Sequence, residues 1–245
     1  MKISDRIKSA MLTMRDDVQA NHLRRFFKCA QGEYGEGDRF LGIRVPQTRA
    51  LVKRYRAEAE LSDALLLVES GWHEVRLAGF LLMIEIFIRY RKQKDVDGQQ
   101  TVVACYMDSI SRGNNWDLVD LVAPKILGIW LVDHPEEREV LDRLALREDS
   151  LWHQRVAVVT TFALIREGIY DDTFRMARTL LHHPHDLIHK AVGWMMREAG
   201  KRGGMPLLID FLDRYASGMP RTMLRYAIEK FPEPLRRHYL QAGKR

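Results

Sequence analysis

"WHQRVAVVTTF", residues 152–162, has a near-copy upstream in "WHEVRLAGF", residues 72–80. Both open on a tryptophan and a histidine, and both set an arginine just ahead of a run of small and apolar residues. A segment that recurs at long range in a chain without low-complexity sequence marks a repeat architecture. Aligning other segments on the polar residue in front of such a run places Arg76, Asp117, Arg155, Lys190 and Arg225 in register, at spacings of 41, 38, 35 and 35 residues. These are periods of two-helix solenoids, in which one hairpin cannot bury its apolar face alone and stacked neighbours supply the core. The predicted fold is all-α, a HEAT-like helical-hairpin repeat solenoid (an α-α superhelix), with residues 1–245 as a single domain. Such a solenoid curves, so the register residues, mostly Arg or Lys, are expected to line a basic concave groove wide enough for a duplex.

The rest of the sequence fits short helices joined by tight turns. Apolar residues recur at helical spacing, as in Leu118, Val122, Ile126 and Ile129, and alternation of the strand type is scarce. Turn signals punctuate these runs: "GEYGEGD" at 32–38, "RGNN" at 112–115, "RGGMP" at 202–206, "SGMP" at 217–220 and "FPEP" at 231–234. The chain of 245 residues is 46% hydrophobic and 29% charged, enough for a substantial core without disulfides or metals as staples. Only Cys29 and Cys105 are present, which excludes a disulfide framework and suits a reducing, cytoplasmic setting. "MKISDRIKSA" lacks the apolar stretch of a signal peptide, and the run Leu77 to Ile84 is too short to cross a bilayer, so no membrane role is expected. A net charge of +6 and a pI near 9.4 make a polyanion such as nucleic acid a plausible partner. No obligate protein partner is evident, and a monomer is expected.

In "NNWDLVDLVAP", residues 114–124, an asparagine caps a helix, and Asp117, three residues after Asn114, resembles a capping-box acid of structural use. Asp120 lies on the opposite side of the helix from Leu118 and Val122, and Trp116 at i−4 shares its side. An aromatic plane and a carboxylate therefore stand together outside the core, either as a half-buried tryptophan beside a solvated acid or as a functional pair. "DLIHKAVGWMMREAGKR", residues 186–202, carries a core stripe of Ile188, Ala191 or Val192, Met195 and Ala199. Lys190, Trp194 and Arg197 stand at i, i+4 and i+7 on another face. That face is either a packed tryptophan under snorkelling cations or a stacking and phosphate-binding surface. Arg155 follows Trp152 at i+3, as a local cation–π pair or as an arginine able to hold a phosphate; the pattern does not separate these. "HPHDLIH" sets His185 and His189 at i, i+4, but Asp186 replaces the glutamate of a zinc-hydrolase helix and no third ligand follows. No metal or other cofactor is expected, and no P-loop, G-x-S-x-G or CxxC occurs.

"GEYGEGDRFLGIRVPQTRALVK" at 32–53, "NNWDLVDLVAP", "WHQRVAVV", "HKAVGWMMRE" and "RTMLRYAIEK" at 221–230 together resemble the bacterial AlkD-like DNA alkylation repair glycosylases, over nearly the whole chain. The resemblance implies a HEAT-like solenoid that binds duplex DNA on its concave face and excises positively charged N3- and N7-alkylated purines. It also implies that the lesion stays stacked while the enzyme works from the sugar side. The family's active-site residues carry over to Trp116, Asp120, Arg155 and Trp194, and further backbone contacts are expected at Lys190, Arg197 and Arg225. On this reading Asp120, Trp116 and Trp194 are catalytic, Arg155 clamps a phosphate, and the absence of a nucleophilic lysine motif makes the enzyme monofunctional. Its place is base excision repair, in the cytoplasm on the nucleoid. From another class stands a non-catalytic helical-repeat protein that binds nucleic acid or a protein partner in the same groove.

Overall fold

Several helices begin where the sequence supplies a side-chain acceptor or a proline. In the computed structural model, which describes residues 1–242, the Asp16 carboxylate accepts from the Gln19 amide at 2.9 Å and Asp95 from Gly98 at 2.8 Å, each satisfying an amide of a first turn. Pro46, Pro206 and Pro234 sit in first turns, where a missing N–H costs nothing. Among the described residues there is no strand, only an isolated bridge between Arg39 and Trp72, so the fold is all-α as expected. No helix among them is long and apolar enough to cross a membrane. The chain divides into two compact units, Met1–Val122 and the part from Ala123 onward.

The first unit contains α1 (Ile3–Thr13), α2 (Asp17–Phe26), α3 (Val45–Tyr55), α4 (Leu61–Val68), α5 (His73–Gln93), α6 (Val96–Asp108) and the short α7 (Trp116–Asp120). Its centre is α5, against which α3, α4, α6 and α7 pack. Every residue of α5 from His73 to Ile84 is buried, which is why this stretch is apolar nearly all round. At Gly79 an added Cβ would stand 2.7 Å from the Ala64 carbonyl, so the glycine lets α4 and α5 touch backbone to backbone.

The second unit contains α8 (Leu127–Asp133), α9 (Val140–Ala145), α10 (Leu151–Arg166), α11 (Asp171–Thr179), α12 (Asp186–Ala199), α13 (Met205–Tyr215), α14 (Arg221–Ala227) and α15 (Glu233–Gln241). One layer is α9, α11 and α13; the other is α10, α12 and α14, with α10 on α9 and α12 on α11. Within this unit the helical-hairpin repeat is plain. The register residues Arg155, Lys190 and Arg225 fall on α10, α12 and α14, successive helices of one layer. A Cβ on Gly193 of α12 would lie 2.4 Å from the Met223 carbonyl and 2.6 Å from the Tyr226 Cβ on α14. Gly193→Ala is therefore expected to destabilise the protein by about 1–3 kcal/mol, the usual cost of overpacking, as measured by denaturant unfolding. A cost below about 0.5 kcal/mol would mean that α12 and α14 separate freely.

Two expectations are corrected. The stripe from Leu118 to Ile129 is not one helix: α7 ends at Asp120 and a 3-10 turn at Ala123–Lys125 intervenes, because Pro124 cannot donate to a continuing α-helix. Nor does the register line a basic face, since Arg76, Asp117 and Arg155 are buried. Arg76, Asp117 and Arg155 are spent on interior hydrogen bonds and ion pairs, which a spacing cannot reveal.

Candidate active site

A buried network fixes the start of α7. The two ring nitrogens of His73, at the start of α5, each meet a carboxylate: Nδ1 lies 2.8 Å from Asp38 Oδ2 and Nε2 lies 2.9 Å from Asp117 Oδ2. Two carboxylate partners require both nitrogens to donate, so the ring is an imidazolium. Burial works against that charge, but Asp117 and Asp38 outweigh it and hold the His73 pKa at about 9. Arg76, one turn along α5, donates through Nη2 to Asp38 Oδ1 and to Asn114 Oδ1, both at 2.7 Å, and through Nε and Nη1 to the carbonyls of Arg112 and Ser70. Asp38 is held below the usual carboxylate range: burial raises its pKa, and His73 and Arg76 more than offset this. Two cations and two anions thus neutralise one another inside the first unit.

The neighbouring loop is tied to the same helix. The Glu74 carboxylate accepts the amides of Leu41, Gly42 and Ile43 at 2.9, 2.8 and 3.1 Å. The rings of Phe40 and Phe27 lie 4.4 and 5.0 Å from the imidazolium, a favourable setting for a buried cation. Asn115, fully buried, donates to the Phe27 carbonyl at 3.2 Å and accepts from the Trp116 amide at 2.9 Å. Asn115 is therefore the helix cap, and Asp117 serves His73 instead of closing a capping box.

On this anchored helix Asp117, Leu118 and Val119 are buried, while Trp116 and Asp120 are half-buried. The Trp116 ring contacts Phe26 at 5.7 Å edge-on and Phe27 at 5.3 Å. Burial and then the Asp120 charge raise the pKa of the buried Tyr106 phenol on α6. The structure brings Trp116 and Asp120 together, four residues apart on one short helix whose first turn is tied to α5 and the end of α2.

In the second unit, Ile188, Ala191, Val192, Met195 and Ala199 are all buried, and Lys190, Trp194 and Arg197 are half-buried on the other side of α12. The Trp194 ring packs on Phe162 of α10 at 6.0 Å, and Phe162 is in turn covered by Arg202 at 5.4 Å. Arg155 is buried, and its Nη1 donates to the Leu187 carbonyl at 2.6 Å, joining α10 to the first turn of α12. Lys190 pairs with Asp186 at 2.7 Å, Arg197 pairs with Glu229 and Glu198, and Arg225 is exposed. The Lys190 pair is open to water and is worth roughly 0–1 kcal/mol, little against a competing phosphate.

The sequence pattern does not distinguish His73, Asp38 and Glu74, and its register places Arg76 on a surface where the structure buries it. The signal was the "WHEVR" and "GEGD" segments, which look alike whether their charges face water or one another. The network has a consequence for stability. His73 has a folded pKa of about 9 against an ordinary 6.5, so its contribution is complete below about pH 6.5 and is lost as pH rises through about 9. Unfolding free energy is expected to drop by about 3 kcal/mol between pH 6.5 and 9.5 on this account, and a His73→Gln variant should lack that drop. A flat profile in the native protein would show that the ring is neutral.

The sequence matches the family model for DNA alkylation repair enzymes over residues 7–231. No curated protein matches closely enough to count as a relative. Among solved structures, one described as a predicted DNA alkylation repair enzyme from Enterococcus faecalis superposes with a TM-score of 0.63 at 16% identity. The match covers 89% of this chain and 97% of that one, and at this identity it speaks for the fold. With the family model spanning both units, from α1 to the residues before α15, this chain belongs to the DNA alkylation repair enzyme family.

Proposed function

We propose that this protein is a monofunctional DNA glycosylase that releases positively charged N3- and N7-alkylated purines, of the 3-methyladenine and 7-methylguanine type, from duplex DNA. The observation that carries this reading is the pairing of Trp116 and Asp120 on one side of a helix whose start is locked by four buried charges. A purine alkylated at N3 or N7 is cationic, so its glycosidic bond is weakened and the base leaves neutral without a general acid. As that bond breaks, positive charge develops on the sugar. A fixed carboxylate beside it stabilises the transition state more than the ground state, and also orients the water that attacks the sugar carbon. Asp120 has this role. Trp116 offers its negative ring face to the electron-poor sugar, and Trp194 gives the second unit an aromatic face of its own for the duplex, each such contact being worth about 0.5–2 kcal/mol. In the second unit, Lys190, Arg197 and Arg225 neutralise phosphates, while Arg155, buried and donating to the Leu187 carbonyl, fixes the first turn of the helix that carries Lys190 and Arg197. The enzyme would act in the cytoplasm, on chromosomal DNA, leaving an abasic site.

The test is a comparison of lesions in duplexes of equal length, with free bases counted by chromatography. 7-Methylguanine should be released and uracil should stay, because an uncharged base needs protonation that no residue here is assigned to provide. Efficient uracil release would overturn this mechanism. Binding of the duplex without release of either base would favour a non-catalytic repeat protein.

A further inference from the structure

The turn that ends α2, "RRFFKC" at residues 24–29, packs Phe26 and Phe27 on Trp116, and its cations have no part in the site described so far. Arg24, Arg25, Phe26 and Lys28 are exposed, Phe26 to 61% despite its large apolar ring. That ring stands edge-on to Trp116 at 5.7 Å and to Phe27 at 5.0 Å. Arg24 and Arg25 form no ion pair among the described residues, and with Lys28 they line a cleft of about 480 Å³. An adjoining cleft of about 410 Å³ shares Arg24 and adds Arg15 and Arg39 around Trp72, with the Arg39 guanidinium 4.2 Å from the Trp72 ring centre. Across both clefts five cations face only Asp17 and Glu33, since the charge of Asp38 is spent on His73 and Arg76.

The backbone adds an independent observation. Lys28 has φ 54°, the left-handed region, where it closes α2 through bonds from its own amide to the Arg25 carbonyl at 3.3 Å and from the Cys29 amide to the Arg24 carbonyl at 3.0 Å. Glycine is the residue this closing geometry favours, because an L side chain there is strained. A lysine held against that preference, at the edge of an unpaired basic patch, is a conformational cost that its ion pair with Glu33, 3.9 Å apart and exposed, does little to offset.

The geometry points to a second duplex-DNA contact at this turn: Arg24, Arg25 and Lys28 hold backbone phosphates, and Phe26 extends the aromatic surface of Trp116 against the strand beside the lesion. Alternating cations and an exposed ring are the composition that grips a phosphate backbone and its sugars, and an excess of unpaired cations is complementary to that backbone alone. The inference rests on the glycosylase reading above.

Lys94 supplies the control, since it closes α5 at φ 58° in the same way, at the far end of a helix of 21 residues, about 30 Å from His73. Lys28→Gly and Lys94→Gly should each raise Tm by about 2 °C. Lys28→Gly alone should lower by about one unit the slope of log affinity for undamaged duplex against log salt, read by fluorescence anisotropy. Arg24→Ala with Arg25→Ala should lower that slope by about two units, which is about tenfold in affinity between fourfold-different salt concentrations, while Lys replacements at both positions retain it. Phe26→Ala should slow 7-methylguanine release with the slope unchanged. Wild-type protein that binds duplex and releases the base, with all these variants behaving like it, would overturn this contact and leave the glycosylase reading intact. Wild-type protein that does neither would overturn both. An equal affinity loss in Lys28→Gly and Lys94→Gly would show a general effect on folding and also overturn the contact.

Discussion

Asp120→Asn is expected to slow release of 7-methylguanine from duplex DNA by about 10²-fold or more, with affinity for the duplex within about twofold of wild type. The amide keeps the shape of the side chain and removes the charge that would face the developing oxocarbenium ion. Asp120 is the right position for a clean measurement. It is half-buried at the end of α7, outside the ion pairs that join His73, Asp38, Asp117 and Arg76, so its replacement leaves the anchoring of the helix in place. Trp116, one turn before it, should then still engage the sugar, which predicts a loss in the rate of the chemical step and not in binding. Single-turnover release at the wild-type rate would remove Asp120 from the mechanism.

His73→Gln is expected to cost about 3–5 kcal/mol of stability, the range for deleting one member of a buried ion pair. The substitution leaves Asp38 and Asp117 facing one neutral amide, with only Arg76 to balance two buried carboxylates. Replacing His73 and Asp117 together by leucine removes one charge of each sign and should be milder than the sum of the two single changes. Denaturant unfolding of His73→Gln, the double variant and its two single leucine variants at pH 6.5 measures this, with unchanged denaturant dependence as the check that one transition is compared. A single-variant cost under about 1 kcal/mol would show that water reaches the network. Catalysis should suffer as well, because Trp116 and Asp120 depend on Asn114, Asn115 and Asp117 for their placement, and a shift of about 1 Å at a reacting group can cost on the order of 10²-fold.

Much of this was written in the residue pattern. Helical spacing and polar punctuation are local properties, so "WHQRVAVVTTF", "DLIHKAVGWMMRE" and the proline-marked turns were enough to give an all-α chain, a hairpin period near 35 residues and the split of α12 into a buried stripe and a face bearing Lys190, Trp194 and Arg197. The same logic placed Trp116 and Asp120 on one side of α7. What the sequence left open was where charge goes, because an arginine, histidine or aspartate reads identically whether it faces solvent or an opposite charge brought from far along the chain. Arg76 was expected on a surface and is interior because Asp38 and Asn114 converge on it from elements 38 residues away on either side. The break after Asp120 was set by Pro124, yet only packing onto α5 turned the short remnant into a fixed platform, through an imidazolium that exists because two distant carboxylates meet one buried ring. Local periodicity determines which residues share a face; the low-dielectric interior that folding creates decides which charges are neutralised, and so which residues hold the site and which can serve it.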